Sequence, residues 1–142
     1  MRSVLAALLT ASVLAGCAAE VDGDVVGPRG GTVVSDDGQI TVEIQENTLQ
    51  DEVAISVLAT PCDDPTLQAC YAFEPWGVML AAPAWVVFEP QSQLMPVDHV
   101  KLKVEGEHGY IPMSDANCDP DQGKAWATVM YLTSVAVTLQ DQ

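Results

Sequence analysis

The chain has 142 residues, with 20 acidic and 5 basic side chains and a formal net charge of −15 at pH 7. That balance excludes nucleic acid as a partner, because gripping a phosphate backbone needs a basic surface that displaces counterions. A hydrophobic content of 49%, rich in β-branched residues, excludes a disordered chain.

The N-terminus reads as an export signal. Arg2 supplies a positive start, and residues 4–14 are apolar but too few to cross a bilayer as a stable span. Leu14-Ala15-Gly16-Cys17 then matches a lipoprotein signal, with small residues ahead of an acceptor cysteine. Residues 1–16 are expected to be cleaved and Cys17 to be lipidated. Each buried methylene contributes about 0.8 kcal/mol, so two acyl chains hold a protein on a membrane where one does not. Ala18 follows the cysteine in place of Asp, which in Gram-negative bacteria favours the outer membrane, with the domain on the periplasmic side or at the cell surface. Residues 17–29 read as a small, acidic tether reaching at most ~35 Å.

The mature chain of about 126 residues is enough for one domain with a real core. It keeps four bases: Arg29, Lys101, Lys103 and Lys124. From Gly30-Gly31 onward the pattern is short runs of period two broken by turn residues. Strands are expected at residues 32–34, 40–44, 53–58, 71–74, 84–89, 100–104, 110–113, 125–131 and 135–139. Ile40-Thr41-Val42-Glu43-Ile44 alternates with its isoleucines and valine inward. Val100-Lys101-Leu102-Lys103-Val104 places both lysines on one solvent face. No segment after the signal has a helical period. Seven to nine short strands with regular turns predict an all-β, antiparallel β-sandwich over residues 30–142.

The order of these runs resembles ZU-five-type domains, the β-sandwiches of ankyrins, netrin receptors and zona occludens proteins, with related domains in bacterial lipoproteins. The resemblance rests on Gly30-Gly31-Thr32-Val33-Val34, Asp37-Gly38 and Ile40 to Ile44. It continues through Tyr71 to Phe73, Pro75, Gly77, Leu80, Pro83 and Trp85-Val86-Val87-Phe88, and ends on Val129 to Val137. Where the family has Ile-Pro-x-Gly-Ala-Leu, this chain has Ile44-Gln45-Glu46-Asn47-Thr48-Leu49. Asn47 is the replacement expected if that turn needs a positive φ, and Leu49 still plugs the core. The resemblance implies a non-enzymatic interaction or structural module with a protein partner. Some relatives cleave themselves at His-Phe-Ser. The matching residues are Tyr131, Leu132 and Thr133, and tyrosine, with a reference pKa of about 10, is a poor base.

With Cys17 acylated, three cysteines remain in an oxidising compartment. Cys62 and Cys70 flank a short polar loop and are the preferred disulfide, which leaves Cys118 free, although spacing alone leaves the connectivity open. Asp115, Asn117, Asp119 and Asp121 put oxygens on alternate residues, as calcium requires. This makes calcium-dependent adhesion or ion binding the alternative function and calcium the candidate ion. No resident cofactor is expected. Pro120 stands where an EF-hand needs glycine, and Asp and Asn are also ordinary turn residues. His99 and His108 read as surface turn residues. Trp85 and Trp126 read as core, and Trp76, between Pro75 and Gly77, as the better candidate for an exposed contact.

Overall fold

The computed structural model describes residues 23–92 and 95–139. The signal segment, Cys17 and the tether as far as residue 22 lie outside the described residues. Eleven strands run in chain order: β1 (Asp24–Val26), β2 (Gly31–Val34), β3 (Ile40–Ile44), β4 (Val53–Thr60), β5 (Ala69–Glu74), β6 (Val78–Phe88), β7 (Val100–Gly106), β8 (Gly109–Pro112), β9 (Asn117–Asp119), β10 (Lys124–Leu132) and β11 (Val135–Leu139). A single 3-10 turn, Val97–His99, precedes β7. The strands form two antiparallel sheets. Sheet I has six strands in the order β1-β4-β5-β11-β7-β8, and sheet II has five in the order β2-β3-β6-β10-β9. The architecture is the all-β antiparallel sandwich that the alternating pattern predicts.

The core lies between the inward rows. Ile40, Val42 and Ile44 of β3, Ala84, Val86 and Phe88 of β6, and Ala125, Ala127 and Val129 of β10 supply sheet II's half. Ile55 and Val57 of β4, Tyr71 and Phe73 of β5, and Val135 and Val137 of β11 supply sheet I's half. Because side chains alternate along a strand, these rows fix what faces outward. Lys101 is exposed and Lys103 half-buried on the outer side of β7, as expected.

Three elements depart from the sequence expectation. Folded structure starts before Gly30: Asp24, Val25 and Val26 pair with Ile55, Ala54 and Val53, so β1 is an edge strand of sheet I made from what reads as tether. The strand expected from residue 84 begins at Val78. Pro83 does not break it, because the register between β6 and β10 shifts there, from Ala84↔Val129 to Met79↔Tyr131, and a proline is tolerated at such an irregularity. Asn117–Asp119, within the acidic loop, pairs with Lys124, Ala125 and Trp126 as β9.

Over the described residues the chain crosses between the sheets six times, and hydrogen bonds tie the sheets together at two corners. At one, the chain passes from β1 in sheet I to β2 in sheet II. Gly30 there has φ 76°, and a Cβ on it would stand 2.3 Å from the Ile44 carbonyl oxygen, so only glycine fits. Asn47, at φ 64°, donates its backbone N–H to the Pro28 carbonyl at 2.7 Å. The asparagine expected to tolerate a positive φ does so, and Leu49 beyond it is buried.

At the other corner, the turn between β2 and β3 is gripped by sheet I. The Tyr71 hydroxyl donates to Asp37 Oδ2 at 2.8 Å. Ser35 Oγ and the Gln39 backbone N–H donate to Asp37 Oδ1 at 2.7 and 3.0 Å, and Gln39 Nε2 donates to Oδ2 at 2.9 Å. Asp36 accepts the Ala59 N–H at 2.7 Å. Partial burial pushes the Asp37 carboxyl upward, but the bonds from Ser35, Gln39 and Tyr71 outweigh it and hold the pKa below its ordinary 3.8. Burial, then the bond to Asp37 and the nearby acidic charges, push the Tyr71 hydroxyl well above 10.0.

A carboxylate with a depressed folded pKa stabilises the fold above its unfolded pKa, and that contribution fades as pH falls through the folded value. Asp37→Asn is therefore expected to cost about 1–2 kcal/mol at pH 7. The gap from the parent should close as pH drops below 3.8. Urea unfolding at pH 7 and pH 2 measures both, and an equal gap at the two would contradict the assignment.

Candidate functional site

The outer face of sheet II carries the most distinctive chemistry of the described surface. Since Ala84, Val86 and Phe88 point inward, Trp85 and Val87 point outward, and likewise Trp126 and Thr128 between the buried Ala125, Ala127 and Val129. Register then sets one row as Val34–Thr41–Val87–Trp126–Asn117 and the next as Thr32–Glu43–Trp85–Thr128. Trp85 and Trp126 are thus diagonal cross-strand neighbours, a relation of about 7–8 Å that aromatic side chains can bridge. Trp85 is 37% exposed and Val34 50%. The expectation that Trp85 and Trp126 are core residues is corrected: their strands are central, but their parity places both indoles on the solvent face. Trp76, the better candidate of the three for an exposed contact, is 67% exposed and donates its indole N–H to Glu105 at 3.3 Å.

The outer face of sheet I is covered by contrast. Cys62 and Cys70 are joined, with Cα atoms 5.5 Å apart, and Cys118 is free and half-buried. The disulfide closes a loop that lays Leu67 over Cys70 and Ala136, with Cys62 and Tyr110 packed around them. Thr138 Oγ1 donates to the Thr66 carbonyl at 2.8 Å and pins the loop to β11. Beside it lies a polar depression of about 500 Å³, lined by Asp63, Lys103, Glu105, Tyr110 and Ser134 among others. The Ser134 hydroxyl, more than the Trp76 indole, lowers the Glu105 carboxyl, and burial raises the Tyr110 hydroxyl.

The acidic loop is occupied with its own backbone. Asp115 Oδ2 accepts the Thr128 N–H at 3.0 Å and also the Thr128 hydroxyl. β9 pairs with β10 only as far as Trp126, so Asp115 caps an N–H on the stretch of β10 beyond it. Asn117 Oδ1 accepts the Cys118 N–H, and Asp119 Oδ1 accepts those of Asp121 and Gln122. Among the described residues, no three His, Cys, Asp or Glu side chains gather as a metal site would require. Asp115, Asn117 and Asp119 thus act as caps and turn formers, and Asp121 contributes its backbone N–H to Asp119.

The remaining candidates are dispersed. His99 Nε2 lies 3.7 Å from its neighbour Asp98, and His108 sits in the turn between β7 and β8. Tyr131 is 52% exposed, while the Thr133 hydroxyl is buried with no hydrogen-bond partner. No helix among the described residues is long and apolar enough to cross a membrane.

No protein-family model matches the chain, and no curated protein matches it in sequence.

Removing the Asp115 cap should be felt as lost stability. Asp115→Ala is expected to cost about 1 kcal/mol, because the Thr128 donors then turn to water. Thermal unfolding of parent and variant, each with and without millimolar calcium, measures it. The expected result is a lower midpoint for the variant and no calcium-dependent rise for either protein.

Proposed function

We propose that this chain is a lipid-anchored module of the cell envelope, held on the outer membrane through Cys17, which presents a ZU-five-like β-sandwich for non-covalent interaction with a protein and performs no catalysis. The observation that carries the reading is the outer face of sheet II, where exposed Trp85 lies beside half-buried Val87 and Trp126 on central strands, with no loop among the described residues laid over them. An exposed apolar surface of this kind works against solubility unless something is gained from it, and contact with a partner is the usual gain.

The sheet edges serve that purpose less well. β1 and β9 have three residues each, and β2 and β8 have four. β8 ends on Pro112, and β1 begins on Asp24. Short edges bearing proline or charge offer little ladder to an added strand.

Export is supported by Leu14-Ala15-Gly16-Cys17 and by the Cys62–Cys70 bond, which suits an oxidising compartment. Family membership is supported by the order of the matching runs and by the turn at Asn47, whose positive φ suits a position where the family has glycine.

The two parts of the reading have separate tests. Cys17→Ser is expected to leave the membrane fraction for the soluble fraction with its melting temperature unchanged. Intact mass of the parent should show acyl chains on a mature N-terminus at residue 17. A variant that fractionates like the parent would refute the anchor. For the module, a photoreactive amino acid placed at Thr41 or at Lys101 reports on the outer faces of sheets II and I. In intact cells, a discrete adduct from at least one position is expected, and silence from both overturns the interaction role.

A further inference from the structure

The surroundings of the tryptophan pair are one-sided in charge. Glu43 is exposed on β3 as the cross-strand partner of Trp85. Asp115 holds Thr128, which is Trp85's partner on the other flank. Asp119 stands opposite Lys124, and Lys124 is itself paired with Glu89 at 3.2 Å. Of the other cations among the described residues, Lys101 and Lys103 are on β7 of sheet I, and Arg29 is in the turn that leads into β2. The outer face of sheet II therefore combines an apolar, aromatic middle with carboxylates on both flanks, and its strands carry one cation among the described residues, Lys124, already paired with Glu89.

That combination selects an occupant. A second copy of the chain would bring two acidic rims together on molecules that each carry a net charge of −15, which opposes self-association. A neutral glycan could stack on the indoles but would make no use of the carboxylates as charges. A guanidinium or ammonium group uses both: the indole face attracts the cation and the flanking carboxylate neutralises it. Arginine fits better than lysine, because its planar, weakly hydrated head stacks on an aromatic ring while donating to a carboxylate. Glu43, Trp85 and Thr128 lie on the adjacent strands β3, β6 and β10, which span about 10 Å at ~4.8 Å per strand. An extended segment of about three residues covers that distance.

We propose that the outer face of sheet II docks a basic polypeptide segment, whose arginine or lysine cations lie against Trp85 and Trp126 and are neutralised by Glu43 and Asp115. The proposal rests on the reading of the chain as an interaction module and adds the chemistry of its partner.

The test uses the full lipidated protein in zwitterionic nanodiscs, labelled with 5-fluorotryptophan. Its three tryptophans give three fluorine resonances, assigned by single Trp→Phe replacements. The probe is a dodecapeptide of alternating arginine and serine, and the control replaces arginine with neutral, nearly isosteric citrulline. The arginine peptide is expected to move the Trp85 and Trp126 resonances saturably while leaving Trp76 still, and the citrulline peptide to bind at least tenfold more weakly. The double variant Trp85→Thr, Trp126→Thr, monitored by the Trp76 resonance and by calorimetry, should lose at least tenfold in affinity. Glu43→Gln alters only an exposed carboxylate. It keeps the question answerable if the double variant unfolds, with a several-fold loss of affinity and a shallower salt dependence expected.

Equal binding of the two peptides, undiminished binding by Glu43→Gln or by a folded double variant, or movement of all three resonances together would each overturn the proposal. So would a response to cellohexaose without one to the arginine peptide. A silent peptide titration alongside Thr41 adducts in cells overturns only the assignment of a basic partner. Silence at both Thr41 and Lys101 overturns the module reading beneath it.

Discussion

The Tyr71 hydroxyl reaching across the sandwich to Asp37 is the bond on which the packing of the two sheets most depends. A sandwich is held mainly by non-directional apolar contact, which says little about how one sheet is placed over the other. A buried hydroxyl that must find its acceptor removes that freedom, because leaving it unpaired costs far more than a pairing gains. Asp37 is in turn fixed by Ser35 and Gln39, and Gln91 bonds both the Asp37 carbonyl and the Gln39 side chain. One carboxylate thus sets the β2–β3 turn, its docking on sheet I and the path of the chain after β6.

With the inner faces fixed in this way, the molecule's individuality lies on its outer faces, and these are unequal. Sheet I is roofed by the disulfide loop, whose Leu67 sits on Cys70 and Ala136. Among the described residues, sheet II has no such roof over Trp85, Val87 and Trp126. The same chain that spends a loop on covering one surface leaves Trp85 exposed and Trp126 half-buried on the other. A cystine that only stabilised the fold would not need to cover anything. Here it also covers the apolar surface around Cys70 and Ala136.

Much of this was legible in the sequence. Strict alternation located β3 and β7 and gave the facing of every residue in them, because period two leaves no other choice once one face is apolar. Asn47 stood out as the one non-glycine residue suited to a positive φ in its turn. What escaped did so for physical reasons. Asp24-Val25-Val26, flanked by glycines and a proline, is too short to show a period, and its pairing with β4 is set by residues far along the chain. Asn117-Cys118-Asp119 has turn composition and becomes a strand only because β10 offers a partner. Trp85 and Trp126 read as core because they lie in strands, and strand membership does not reveal parity in a run such as Ala84-Trp85-Val86-Val87-Phe88, where every residue is apolar, while for Trp126 the polar Lys124 and Thr128 on the same side carried the signal. Asp37 looked like a turn residue, which it is. That it also receives a tyrosine 34 positions away is a tertiary fact that no local pattern carries.

The passage from β1 to β2 has a mechanical consequence. A pull on the chain ahead of Gly23 would reach β1 first, where three residue pairs with β4 bear the load. Should those part, the strain passes to a corner built differently. There Gly27 and Gly30 are bridged, the Pro28 carbonyl is held by the Asn47 N–H, and β2 beyond them is committed to the opposite sheet. Stripping the first strand therefore does not begin to unzip the second, because the direction of pairing changes between them. Tension at this end is met by a short sacrificial ladder backed by a catch, and the sandwich behind it stays closed.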